Sequence, residues 1–223
     1  MIDRIFRWFD DRLHVAHFTR NSLRKIFPDN WSFMVGEIAL YCFVVLVVTG
    51  IYLSFFFSPS AKEVVYHGSY VPLQGRHMSE AFSSTVNISF DVRAGLVFRQ
   101  MHHWAALIFV GAILVHLCRV FFTGAFRRPR ELNWIIGVTL FVLVMFNGFS
   151  GYSLPDDLLS GTGLRIGYSI ALAVPFIGTW AAFLVFGGEF PSPDILSRLF
   201  ILHVLLVPAV IFGLLGAHLA ILW

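Results

Sequence analysis

The chain reads as an all-α membrane protein, a bundle of four transmembrane helices with amphipathic surface helices in its N-terminal segment and between its third and fourth spans. Three observations predict this. Of 223 residues, 57% are hydrophobic and only 13% charged, and the mean hydropathy is +0.77, a balance that soluble domains rarely show. Long apolar runs recur between polar or basic connections, each long enough for the roughly 20 residues a bilayer crossing needs. Two of these runs carry paired histidines, His102 and His116 in one and His203 and His218 in the other. The net charge of +3 reports topology in such a protein and implies no nucleic-acid partner.

Residues 1–30 alternate apolar and charged positions, Ile5, Phe6, Trp8 and Phe9 against Arg4, Arg7, Asp10, Asp11 and Arg12. That pattern is an amphipathic basic segment lying on the membrane surface, and it does not read as a cleaved signal peptide. Pro28 to Trp31 closes it and offers a cap and an interfacial tryptophan to the next element. The first span covers about 31–57, stopped by Ser58-Pro59, with Gly36 and Gly50 inside it. Residues 58–94 form a long polar connection holding short surface helices. The second span covers about 95–122 and is followed by the basic stretch Arg127-Arg128-Pro129-Arg130. The third covers about 132–152 and carries Gly137 and Gly151. Residues 166–186 are apolar enough to span, but Pro175, Gly178 and Gly187-Gly188 favour two shorter interfacial helices. The fourth span is then about 194–223.

Basic residues orient the bundle. Six precede the first span (Arg4, Arg7, Arg12, Arg20, Arg24 and Lys25), and Arg119, Arg127, Arg128 and Arg130 follow the second. The N-terminus and the 123–132 loop are therefore expected in the cytoplasm of a cell whose cytoplasmic membrane holds the protein. The 58–94 and 154–193 connections are expected outside.

The paired histidines carry the chemistry. Four helical turns take about 14.4 residues, so spacings of fourteen and fifteen keep each pair near one helix face, about 21 Å apart along the axis. The second and fourth spans run in the same direction in this topology. His102 then shares an outer level with His203, and His116 an inner level with His218. Two imidazoles at each level are the ligand set of two bis-histidine b-type haems, electron-transfer centres with no open iron position. Arg99 and Arg119, each three residues outside its histidine, are placed to pair with haem propionates. Arg198 is a weaker candidate for that role. Gly36 and Gly137 fall at the inner level and Gly50 and Gly151 at the outer one, where a porphyrin edge needs a helix without side chain. Membrane helices also use glycines simply to pack, but two pairs at the histidine period favour cofactor clearance. Cys42 and Cys118 lie in apolar runs without CxxC or CxxCH, so neither a disulfide framework nor a covalently attached haem is signalled. His103 faces elsewhere, and His14, His17, His67 and His77 sit in polar segments.

These features resemble the N-terminal half of cytochrome b from quinol–cytochrome c oxidoreductases. The resemblance covers nearly the whole chain: the glycine pairs, Arg99-Gln-Met-His102, the histidine spacings, and Gly151-Tyr-Ser-Leu-Pro-Asp-Asp157. The stretches Ala125 to Glu131 and Ser153 to Gly163 resemble the actinobacterial branch. The resemblance implies that Met145, Phe149, Tyr152 and Gly163 stand beside a quinol-oxidising site walled by the interfacial helices. It implies menaquinol as substrate, and as partners a Rieske iron–sulfur protein, a cytochrome c subunit, the C-terminal half of cytochrome b, and a dimeric complex. One electron from quinol goes to the Rieske protein, and the other crosses to a quinone near the cytoplasmic side. The chloroplast form holds an extra haem through a first-helix cysteine. Met34 stands there in this chain, so that haem is not expected. The Pro-Glu-Trp-Tyr segment of the quinol site is absent, and the chain ends at Ile221-Leu-Trp223 without a polar anchor, as expected of a truncated or split cytochrome b. The alternatives are a di-haem anchor of another quinone-linked dehydrogenase or hydrogenase, and a haem-free transporter using the histidines as a proton path.

Overall fold

The computed structural model describes residues 30–188 and 192–222, with Arg4, Trp8 and Asp10 ahead of them. Two compact units are distinguished, residues 1–34 and 35–223. Arg4, Trp8 and Asp10 are helical, and the other residues before Asn30 in the expected 1–30 surface segment, with His14 and His17, lie outside the described residues.

Among the described residues, four helices are long and apolar enough to cross a membrane, so the protein is a multi-pass membrane protein. They are α1 (Trp31–Ser54), α3 (Gly95–Phe122), α4 (Glu131–Ser153) and α7 (Ile195–Leu222). Helix α1 ends three residues before the position that Ser58-Pro59 marks, because Phe55 to Phe57 turn back onto Tyr52 and Leu53 carbonyls. The connection to α3 holds a small antiparallel hairpin, β1 (Glu63–Val65) and β2 (His77–Ser79), and helix α2 (Glu80–Phe90). Ser79 caps α2 by accepting the Phe82 N–H at 3.2 Å.

The stretch that hydropathy alone leaves open is broken into α5 (Leu158–Ala173) and α6 (Gly178–Phe186). With 16 and 9 residues they reach about 24 and 14 Å, short of the roughly 30 Å hydrocarbon core. A reciprocal cap between Asp157 and Ser160 starts α5, Pro175 interrupts the pair, and Gly187 in the left-handed region (φ 86°) ends α6.

Helix α7 contains one π-helical turn, Leu202–Leu206, around His203. Pro208 explains it: proline has no N–H to give and its ring crowds the carbonyl four residues back. The Val207 N–H instead bonds to the Leu202 carbonyl, five residues earlier. Such a turn inserts one extra residue. This is the physical reason that α7 spaces its histidines by fifteen residues where α3 uses fourteen.

Half-way between the two histidine levels, every span contributes to a single buried apolar cluster. Phe43, Phe109, Val144 and Ile211 meet there, with Ala39, Leu140 and Val207. The Phe43 and Phe109 rings lie 6.0 Å apart.

Candidate functional site

The structure brings the four histidines together in two pairs. The His102 and His203 ring centroids are 6.1 Å apart with planes at 73°, and those of His116 and His218 are 6.5 Å apart at 77°. Metal–imidazole bonds of about 2 Å, plus about 1.2 Å from nitrogen to ring centre, put the centroids of a linear bis-imidazole pair roughly 6.3 Å apart. Both pairs match that separation, so these residues fit a metal centre held from two sides.

Each imidazole also stands against a glycine of a neighbouring span. A Cβ added at Gly36 would lie 3.3 Å from the His116 ring, at Gly50 3.2 Å from His102, and at Gly137 3.5 Å from His218. At Gly151 it would collide with the His203 ring. Gly111, Gly148, Gly213 and Gly216, in the same spans, would meet nothing within 4 Å. The four glycines thus stand against imidazole rings. This pairing also gives directions: α1 and α4 run opposite to α3 and α7.

A second effect follows from helix geometry. A Cβ leans toward the helix N-terminus, so glycine uncovers the carbonyl one turn earlier. His203 Nδ1–H donates to the Asn147 carbonyl at 2.9 Å, four residues before Gly151. His102 faces the Leu46 carbonyl, four before Gly50, and His218 faces that of Asn133, four before Gly137. A carbonyl only accepts, so the proton of His203 sits on Nδ1 and its Nε2 presents a lone pair. His102 reaches the same state through Thr49. That hydroxyl donates its proton to the Val45 carbonyl at 2.6 Å and therefore accepts from His102 Nδ1, 2.9 Å away. Fixing the tautomer through the remote nitrogen is how proteins orient metal-binding histidines. At the other level, His116 Nδ1 and His218 Nδ1 are buried without a well-formed hydrogen bond among the described residues. Sequence reasoning missed Thr49, Ser150 and Asn147; a hydroxyl directly before a glycine at the histidine period was the available signal.

The arginines divide. Arg99 is half-buried near its histidine level, its guanidinium 3.4 Å from Ser89 Oγ. Arg119 is half-buried one turn beyond His116. Arg198 instead donates to the Phe183 and Leu184 carbonyls at 3.2 and 3.3 Å, tying α7 to the end of α6. His103 is exposed beside Trp104, and the exposed His77 pairs with Glu63 across the hairpin at 2.6 Å.

Of the expected quinol-site residues, Tyr152 packs on Gly163, with 3.2 Å between its ring and a Cβ placed there. Phe149 lies against Gly167 and the Phe186 ring. Met145, one turn earlier on α4, is half exposed.

Residues 107–223 match the family model for the N-terminal domain of cytochrome b, b6 and petB. The chain belongs to the cytochrome b family. Haem binding is a property of that family, and it fits the imidazole pairs found here. Cytochrome bc1 complex cytochrome b subunits of Streptomyces coelicolor, Corynebacterium diphtheriae and Mycobacterium leprae are 57%, 58% and 57% identical to this cytochrome b chain. The matches cover 99%, 96% and 96% of it. The chain spans only 41%, 40% and 39% of those relatives' lengths. A solved structure titled Hyperthermophilic respiratory Complex III superposes with a TM-score of 0.76 at 26% identity, covering 96% of this chain and 53% of that one.

Proposed function

We propose that this chain is the di-haem part of the cytochrome b subunit of a respiratory quinol:cytochrome c oxidoreductase. It carries two non-covalent b-type haems, one between His102 and His203 and one between His116 and His218. The observation that carries the reading is the pair of imidazole separations, 6.1 and 6.5 Å, with the His102 and His203 Nδ1 protons engaged so that Nε2 is free for iron.

When bound, haem supplies a one-electron carrier whose iron alternates between ferric and ferrous. The residues do the rest. The histidines hold the two centres at levels about 21 Å apart along the helices. Gly36, Gly50, Gly137 and Gly151 leave room for them, and Arg99 and Arg119 neutralise propionates. The apolar layer of Phe43, Phe109, Val144 and Ile211 keeps water and protons from following the electrons. Quinol, menaquinol by analogy with the actinobacterial relatives, is oxidised on the outside beside Met145, Phe149, Tyr152, Gly163 and Gly167. One electron passes to a Rieske iron–sulfur protein and on to a cytochrome c subunit. The other crosses to a quinone near the cytoplasmic face, so turnover contributes to the proton-motive force. The remaining cytochrome b helices, in a dimeric complex, complete both quinone sites, and the N-terminus is cytoplasmic in the cell membrane.

The test is haem content by pyridine haemochrome, with His102→Leu and His218→Leu variants. Two b haems per chain, and one lost in each variant, is the expected result. A folded protein without haem overturns the proposal.

A further inference from the structure

The two histidine levels differ in one respect that the di-haem reading, on which this inference rests, does not itself require. Directly before the glycines at the His102–His203 level stand hydroxyl residues, Thr49 and Ser150; before those at the other level stand Val35 and Ile136. We propose that Thr49 tunes the His102–His203 centre, lowering its reduction potential relative to the His116–His218 centre by accepting the His102 Nδ1 proton.

The geometry leaves Thr49 little freedom. It is 1% exposed, its side chain is β-branched and stiff at χ1, and its own proton is held by the Val45 carbonyl at 2.6 Å. A lone pair therefore faces His102 Nδ1 at 2.9 Å. An acceptor there draws the Nδ1 proton away and makes Nε2 a stronger donor, which favours ferric over ferrous iron and lowers the potential. Ser150 contributes less. Its proton goes to the Asn147 carbonyl at 2.9 Å, and its oxygen is 3.4 Å from His203 Nδ1, beyond a good hydrogen bond. Valine and isoleucine offer no acceptor at the other level, where His116 Nδ1 is buried without a partner among the described residues. The resulting gradient runs in the direction the proposed function needs: an electron entering at the His102–His203 level moves downhill to the His116–His218 level. Thr49 is on this account a positioning and tuning residue, touching a ligand and not the reacting quinol.

The experiment is a potentiometric titration of the intact complex containing this chain, following the two b-type couples by absorbance, in wild type, Thr49→Val, Thr49→Ser and Val35→Thr. A hydrogen bond that favours the ferric over the ferrous state about fivefold corresponds to roughly 40 mV at 59 mV per tenfold. In Thr49→Val one couple should rise by about that factor while the other stays, and Thr49→Ser should keep the wild-type value. Val35→Thr should lower the other couple, because it adds an acceptor beside Gly36. Both haems retained with unmoved couples in Thr49→Val, or an equal shift in Thr49→Ser, overturns the proposal. Where Thr49→Val fails to assemble, Val35→Thr decides: a lowered couple supports the tuning and an unmoved one overturns it. Fewer than two b-type couples in the wild-type complex would overturn the di-haem reading itself, and this inference with it.

Discussion

At the residue scale, the four glycines form a graded series that separates imidazole clearance from ordinary helix packing. Alanine in a helix interior is favoured over glycine by about 1 kcal/mol, while overfilling a packed site costs about 1–3 kcal/mol. At Gly137 a Cβ would sit 3.5 Å from the His218 ring, ordinary contact, so the helix gain dominates. Gly137→Ala should leave stability unchanged or raise it by up to about 1 kcal/mol. At Gly151 a Cβ would overlap the His203 ring, whose Nδ1 is bonded to Asn147 and cannot swing away freely. Gly151→Ala should therefore lower stability by up to about 2 kcal/mol after the helix gain is subtracted, and it should loosen haem at that level. Thermal denaturation in detergent followed by circular dichroism checks the order. Equal stability for the two variants would refute the clearance role. These glycines were legible in the sequence because their fourteen-residue period matches that of the histidines. What they face was not legible, since spacing locates a level but says nothing of which atoms meet there. Thr49 stayed hidden for a related reason: a threonine in an apolar helix reads as bonded back to its own turn, which it is, while its second lone pair serves another helix.

At the element scale, the π-helical turn of α7 is a register device. The sequence showed fifteen residues between His203 and His218, close enough to four turns to pass as regular helix. The structure attributes the extra residue to the turn that Pro208 induces. Removing the turn and its extra residue together should then restore the register. Deleting Leu205, an exposed side chain within the turn, with Pro208→Ala should leave two haems per chain. Deleting Val210, also exposed but in the regular part, keeps the turn and rotates His218 by about 100°, so one haem should be lost. Pyridine haemochrome ratios distinguish the two, and equal haem in both deletions would refute the device. Other elements show where patterns suffice. The breaks at Pro175 and Gly187 were visible in residue identity, and so was the division of the 166–186 stretch into two short helices, but the start of the first at Leu158 was not. The β1–β2 hairpin was not, because strands of three residues are too short to show a period of two.

At the scale of the whole molecule, the spans are apolar all round, with residues such as Ile51, Leu107, Val142 and Phe212 more than half exposed to the surroundings. Helix amphipathicity therefore cannot orient them. Orientation falls to the connections. Arg127, Arg128 and Arg130 crowd the short link between α3 and α4, where Arg128 reaches Glu131 at 3.5 Å across a well-exposed surface. That one weak pair neutralises little of the link's positive charge. At the opposite end, the turn from α4 into α5 carries Asp156 and Asp157 and presents Leu158, 89% exposed. Lysine and arginine are retained on the cytoplasmic side during insertion, so the proposed orientation puts the α3–α4 link inside and the α4–α5 turn outside. Single-cysteine variants in a background with Cys42 and Cys118 replaced by serine test this directly. A membrane-impermeant maleimide should label Leu158→Cys in intact cells and Arg128→Cys only after permeabilisation. The reverse pattern would invert the bundle, put the Tyr152–Gly163 wall on the cytoplasmic side, and make the His116–His218 level the entry point for electrons.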